Sequence, residues 1–270
     1  LHSFSFVSSM KNVNSFIVPS NFLQREVHVD LYGIENLGVE ANVDLLLVND
    51  GQDLVKMNFP AVFKGVQAVK KRMIVAAFHA GLERRQAYGV SGIPDYLRRG
   101  SKAADHVAFV MEEFIPFFKN KFTSIQILNK YVAGFSLGGL MAFDMAMDFP
   151  MEFNAVGVFS GSFWWRSKDL KEGYKEERDR IMHAKIRGKS SNIHQRFYLQ
   201  TGAMDEKADR NNNGIIDSID DTLDIIKELQ SIGFDTSEQV KYVEIPDGKH
   251  DVATWKRAMP DFLEWLAIKK

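Results

Sequence analysis

The spacing of apolar and polar residues changes period many times along the chain, and each change marks an element. Arg25 to Tyr32 alternates, with Val27, Val29 and Leu31 on one side, which predicts a half-exposed strand. Val43–Asn49 is a short continuous apolar run ending at Asp50-Gly51, the pattern of a strand buried on both faces. Met73–Phe78 reads the same way, and Ala155–Ser160, Arg196–Thr201 and Gln239–Ile245 are three further strands. Helical spacing covers Phe59–Val69, Leu137–Asp148, Asp217–Ser231 and an amphipathic Val252–Ile268. A long polar loop spans His79–Gly100, and Ser101 is placed to cap a helix running to Phe118. Alternating strands and helices predict one α/β domain over residues 25–270, behind an N-terminal extension of residues 1–24. Its sheet is expected to be mostly parallel with helices on both faces. Sites in such sheets lie at the carboxyl ends of the strands.

The rhythm breaks at Lys168–Ser191, where Lys171, Glu172, Lys175, Glu176, Glu177, Arg178, Asp179 and Arg180 crowd together. This charged insertion, about 166–195, reads as a solvated helical excursion, with a lid over the site as the sharper alternative.

Composition narrows the function. The 270 residues carry a net charge of -1 and no long basic block, which argues against nucleic acid as a partner. There is no cysteine, so disulfides, thiolate catalysis and cysteine-based zinc sites are excluded. No apolar run approaches the length of a membrane span. The segment Leu1-His2-Ser3-Phe4 shows neither an initiator Met nor a signal-peptide pattern.

The chemistry is concentrated at Tyr131–Leu140, where an apolar strand runs through Gly134-Phe135-Ser136-Leu137-Gly138 into an apolar helix. Gly-x-Ser-x-Gly in that context is a nucleophile elbow, which holds the serine on a tight strand-to-helix turn. A serine hydroxyl needs a base to take its proton and a carboxylate to orient that base. In α/β-hydrolases the order is Ser, acid, His. Three histidines follow Ser136: His183 and His194, in or beside the charged insertion, and His250, in the loop between the last strand and last helix. His250 is the candidate base. Asp205 lies just past the penultimate strand and is the candidate acid, with Glu206 and Asp209 as competitors. The oxyanion donors are assigned to the backbone amides of Leu137 and of Gln52, in the loop after Val43–Asn49. Trp164 and Trp165 follow a strand end and could form an aromatic wall for an acyl or aryl group or cap the core. His79, Arg84, Arg85 and Tyr88 follow another strand, where they could shape the mouth or make ion pairs.

These residues resemble the putative-esterase (esterase D-like) family of the α/β-hydrolases, which includes enterochelin esterases, feruloyl esterases, S-formylglutathione hydrolases and mycolyltransferases. The resemblance rests on Leu46-Leu47-Val48-Asn49-Asp50-Gly51-Gln52, Gly134–Gly139, Ser160-Gly161-Ser162-Phe163-Trp164-Trp165, and Gly248-Lys249-His250-Asp251 followed by Trp255. It runs from about Arg25 to the C-terminus. It implies an α/β-hydrolase fold, a Ser136/Asp205/His250 triad, an oxyanion hole from Gln52 and Leu137, and acyl chemistry on a small-molecule or carbohydrate-linked ester without an organic cofactor. Transfer to a sugar or lipid acceptor, or a non-catalytic carbohydrate-binding role on a hydrolase scaffold, are the alternatives.

A second motif spans Asp209–Asp220. Asp209, Asn211, Asn213, Asp217 and Asp220 occupy positions 1, 3, 5, 9 and 12 of an EF-hand-type loop, with Gly214 at position 6 and the Ile215 carbonyl at position 7. The expectation is a structural Ca2+ ion that ties down the chain just after Asp205. Because free calcium is scarce in cytosol, it points to a periplasmic or secreted setting.

Overall fold

In a computed structural model of the protein, residues 5–10, 13–36, 41–69, 72–192 and 194–268 are described. Among the described residues nine strands form one sheet: β1 (Ser5–Met10), β2 (Val13–Ser20), β3 (Arg25–Tyr32), β4 (Ala41–Asn49), β5 (Met73–Phe78), β6 (Ile125–Phe135), β7 (Ala155–Phe159), β8 (Arg196–Met204) and β9 (Val240–Lys249). Their order is β1-β2-β3-β5-β4-β6-β7-β8-β9. The pairs β1–β2, β2–β3 and β3–β5 are antiparallel, and every pair from β5 to β9 is parallel.

Helices cover both faces because the central strands are apolar on both. Successive residues of β4 go to opposite cores: Leu45 and Leu47 join one, Leu46 and Val48 the other. The second core is closed by α1 (Gly51–Lys56), α2 (Phe59–Gly65) and a C-terminal helix (Val252–Ala267), through Leu54, Phe59, Phe63, Phe262 and Leu263. Against the first core pack α4 (Ala103–Ala108), which follows the one-turn α3 (Arg84–Ala87), and then α5 (Ile115–Lys121) and α6 (Leu137–Asp148). The short α7 (Glu176–Asp179) leads into α8 (Ile181–Ile186), which packs on this side with α9 (Asp217–Ser231). The one-turn α10 (Thr236–Gln239) precedes β9, and the C-terminal helix Val252–Ala267 is α11.

Four findings depart from the sequence reading. Within the expected extension 1–24, β1 and β2 add antiparallel strands to the sheet, and Phe16 and Val18 reach the core; residues 1–4, 11 and 12 of that stretch lie outside the described residues. Ser101 does not cap its helix: α4 starts at Ala103 after Lys102, and the Ser101 hydroxyl donates to Gln86 Oε1 at 2.8 Å. That helix also continues past Phe118 to Lys121, through a wider π turn over Phe109–Phe114. Pro116 has no N–H to give the Glu112 carbonyl, and the wider turn relieves that mismatch.

The charged insertion is solvated along Lys171, Glu172, Lys175, Glu177 and Arg178, which are exposed, but its far end is built into the fold. Arg180 is only 5% exposed and donates to Asp221 Oδ1 at 2.8 Å and Asp224 Oδ2 at 2.7 Å. Arg210 reaches back from the Asp209–Asp220 loop to Glu176 Oε1 at 2.7 Å and also pairs with Asp221. Desolvation by burial pushes the Asp221 pKa up, and the two guanidiniums oppose it. Two arginines thus bind the insertion to α9, because a buried carboxylate must be paired.

Candidate active site

Parallel β4, β6 and β7 lie side by side and end at the same edge. Ser136 sits between β6 and α6 with φ 55° and ψ −119°, a strained conformation for a residue with a Cβ. The tightness of the turn explains its glycines. A Cβ on Gly134 would lie 2.2 Å from the Gly138 carbonyl oxygen, and one on Gly138 would lie 2.4 Å from Asp50 Oδ2. The Ser136 amide donates to the Phe159 carbonyl of β7 at 2.8 Å, which fixes the elbow to its neighbour strand.

His250 follows β9 and reaches the elbow: its Nε2 is 2.8 Å from Ser136 Oγ. Ser162 Oγ lies on the same hydroxyl at 3.4 Å. The His250 ring stands edge-on to Trp255 at 5.5 Å, and Trp255 stacks on Phe135 beneath the elbow. Desolvation lowers the His250 pKa, the Asp205 charge raises it and Arg84 lowers it, with a net fall below the usual histidine range. The downward direction favours the neutral imidazole, the form that can accept a proton.

Asp205 and His250 interact through charge, and no hydrogen bond joins the two side chains. The Asp205 carboxylate is turned towards the Ser160 hydroxyl and the Gly202 backbone. Its pKa is raised, chiefly by desolvation; the Ser160 hydroxyl, the Gly202 backbone and the His250 charge pull the other way. Ser160 is buried at φ 47°, and its Oγ accepts the Trp255 indole N–H at 3.0 Å. The competitors lie elsewhere. Glu206 is raised by desolvation and by Asp217, with the Ser218 backbone N–H holding it down. Asp209 folds into its own loop, His183 is buried with Nε2 3.0 Å from the Asp221 carbonyl, and His194 is exposed.

The two assigned oxyanion amides stand in the first turns of helices, where backbone N–H groups lack intrahelical partners. Leu137 opens α6, and Gln52 is the second residue of α1. Because β4 and β6 are paired neighbours, the two helix starts adjoin. Asp50 precedes α1 in a left-handed conformation and is held by Arg84 through Nε at 2.6 Å and Nη2 at 2.7 Å. Asn49 Nδ2 donates to the Gly138 carbonyl at 3.1 Å, and the His106 Nε2 sits 2.9 Å from Asn49 Oδ1. Arg84 is thus an ion-pair partner at the site's rim. Ser160 and Ser162 escaped the sequence reading as site residues; the signal was present in their position at the end of β7, the strand beside the elbow.

The tryptophan pair divides. Trp165 is fully buried, its Nε1 donates to the Ile93 carbonyl at 3.3 Å, and it leaves no room for a Cβ on Gly89 or Gly100. It is a core residue that anchors the 89–100 loop, a correction to the aromatic-wall reading. Trp164 is partly exposed, with the Arg99 guanidinium 4.9 Å over its ring.

In the Asp209–Asp220 loop, Asp209 accepts backbone N–H groups from Asn213 at 3.1 Å and Gly214 at 2.9 Å. The Asn211 and Asn213 amides both donate to Asp220 Oδ2, at 2.7 and 3.1 Å. Asp217 is engaged by Arg210, whose backbone N–H donates to Oδ1 at 2.8 Å.

Residues 20–266 match the family described as "Putative esterase". The chain belongs to that family. No curated protein matches the chain. Solved structures with the same fold include the enterobactin esterase FES from Shigella flexneri (18% identity, 97% of this chain and 62% of that one, TM-score 0.68). The chain therefore spans less than two thirds of the Shigella protein. The siderophore hydrolase EstB from Aspergillus nidulans matches over 95% of both chains (15% identity, TM-score 0.67). The BES protein from Bacillus cereus matches over 98% of this chain and 99% of that one (16% identity, TM-score 0.68). At these identities the likeness establishes a shared fold, and the β2-to-β9 order is that of an α/β-hydrolase sheet. Among the described residues no helix is long and apolar enough to cross a membrane.

Proposed function

We propose that this esterase-family chain hydrolyses carboxylic esters through Ser136 and an acyl-enzyme intermediate. The carrying observation is the 2.8 Å contact between Ser136 Oγ and His250 Nε2 at the mouth of the elbow. Ser136 Oγ attacks the acyl carbon while His250 Nε2 takes its proton. The carbonyl oxygen becomes an oxyanion facing the Leu137 and Gln52 amides. As the tetrahedral adduct collapses, the ester C–O bond breaks and His250 returns the proton to the departing alcohol. Water then attacks the acyl-serine, with His250 again as base, and releases the acid. Asp205 stabilises the transient imidazolium. Siderophore esters are the first substrate class to test, since solved proteins of this fold are named for them.

A fluorophosphonate probe tests the reading. One covalent label per chain, located to Ser136 by peptide mapping, is the expected outcome, together with turnover of p-nitrophenyl acetate or enterobactin. An unlabelled chain that turns over neither ester rejects the proposal.

The second part of the proposal concerns calcium. The donor set of the Asp209–Asp220 loop fits the ion: Asp209 and Asp220 supply carboxylates, Asn211 and Asn213 supply amide oxygens, and Ile215 supplies a carbonyl. Asp217 must leave Arg210 to join them. Bound there, calcium supplies charge that holds the loop following Asp205. Calorimetric titration of chelator-treated protein is expected to show uptake of one Ca2+ per chain; no heat at millimolar calcium would end this part of the proposal.

A further inference from the structure

A second cluster of chemistry-bearing side chains lies on the antiparallel side of the sheet. β3 and β5 pair with Val29 opposite Phe78, so the residue after β5 falls opposite His28. Accordingly the His79 backbone N–H donates to the His28 carbonyl at 2.9 Å. Directly opposite residues share one face of a sheet. The two imidazoles stack there, with centroids 4.1 Å apart and planes 12° apart. Asp30, two residues along β3 from His28, points to the same face. His28 Nε2 lies 3.0 Å from Asp30 Oδ1, and His79 Nε2 lies 2.8 Å from Asp30 Oδ2. The donor atoms of all three lie within 4.8 Å of one another, and among the described residues no other group of three His, Asp or Glu does so.

Two observations separate this cluster from a chance ion pair. One carboxylate faces two imidazoles, and both rings turn the same atom, Nε2, towards it; this is a common metal-binding atom of neutral histidine. Asp30 is also held from the neighbouring strand, where Ser15 stands directly opposite it. The aspartate is buried, and Ser15 of β2 donates its hydroxyl to Asp30 Oδ1 at 2.5 Å. Such an outer partner is what orients a ligating carboxylate. The rings themselves are half-open, with side-chain exposures of 40% for His28 and 20% for His79, which leaves room for water.

We propose that His28, Asp30 and His79 form a binding site for a divalent transition-metal ion, zinc above all, with water completing the coordination. Two imidazoles and a carboxylate are a donor set suited to zinc, and three protein ligands plus water make an open tetrahedral site. Zinc–ligand bonds near 2.0–2.1 Å place neighbouring ligand atoms about 3.3 Å apart. The two nitrogen–oxygen separations already stand at 3.0 and 2.8 Å, so an outward shift of a few tenths of an ångström admits the ion. The site also adjoins the segment that carries the Gln52 amide. The Ala80 N–H, next to His79, donates to Gln52 Oε1 at 3.0 Å, and a Cβ on Gly51 would meet His79 Cδ2 at 3.0 Å. An ion here braces the end of β5 behind that segment.

The test is calorimetric titration of chelator-treated full chain with zinc chloride, with melting temperature as a second readout. Wild type is expected to take up one zinc ion per chain at this site and to melt at a higher temperature when zinc is added. The His28→Gln and His79→Gln variants are each expected to bind at least about tenfold more weakly, and Ser15→Ala about tenfold more weakly. All three should melt near the wild-type temperature without zinc, which shows that the fold survives. Absence of zinc uptake by wild type overturns the proposal. So does undiminished affinity in the His28→Gln/His79→Gln double variant, because the ion then lies elsewhere.

Discussion

Ser136→Ala is expected to lower kcat for p-nitrophenyl acetate by about 10⁵-fold or more, to the level of removing the whole nucleophile–base unit. The physical reason is local. The Ser136 oxygen is the one hydroxyl 2.8 Å from His250 Nε2, and the strained φ of 55° holds it there. Ser162 Oγ stands 3.4 Å from Ser136 Oγ, yet it follows a different strand and lacks the elbow that aims a hydroxyl at the Leu137 amide. It should not substitute. Alanine removes only the oxygen, so the melting temperature should stay close to that of wild type and the loss can be read as chemistry. Comparable rates in wild type and variant, measured with fluorophosphonate labelling in parallel, would overturn the mechanism.

Asp205→Asn is expected to lower kcat by about 10⁴-fold. Asp205 and His250 interact through charge rather than through a formed hydrogen bond, so the carboxylate acts mainly when the imidazole becomes positive during the reaction. Its charge raises the His250 pKa, whereas desolvation lowers it. Removing that charge should therefore move the acid limb of the pH–rate profile to lower pH while the plateau falls. A residue that merely propped the loop would change the plateau and leave the limb in place. Glu206→Gln is the contrasting variant: Glu206 faces Asp217 and the Ser218 backbone, and its loss should leave kcat near wild type. An Asp205→Asn enzyme working within tenfold of wild type would assign the orienting role elsewhere.

The elements legible in the residue pattern were those whose surroundings are set by their own side chains. Met73–Phe78, Leu137–Asp148 and Asp217–Ser231 have the same bounds in the fold as in the sequence reading, because each is apolar in a single clear period and ends on a turn or cap residue. β2 was not legible. Val13-Asn14-Ser15-Phe16-Ile17-Val18 mixes polar and apolar residues, and it becomes a strand by pairing with β3. The charged insertion was legible only in part, since Lys171, Glu172, Lys175, Glu177 and Arg178 are exposed while Arg180 is buried. Lys, Arg, Asp and Glu at that density usually mean a solvated face, but Arg180 and Arg210 find partners on Glu176, Asp221 and Asp224, brought near only by the packing of α8 on α9. From its place after a strand end Trp165 could line a pocket or cap the core; Gly89 and Gly100, far from it in the chain, pack against its ring and decide for the core.

Gly134, Ser136 and Gly138, set between an apolar strand and an apolar helix, announce an elbow in five adjacent residues and their flanks. The family and the α/β class follow from such local patterns. Which atoms meet is a separate matter. The reach of His250 to Ser136, the Ser160–Trp255 contact and the convergence of His28, Asp30 and His79 depend on strand register and on distances between segments remote in the chain. Those are settled only when the sheet assembles, because ångström-scale contacts between distant residues come from the packing of whole elements and leave no periodic trace along the polypeptide.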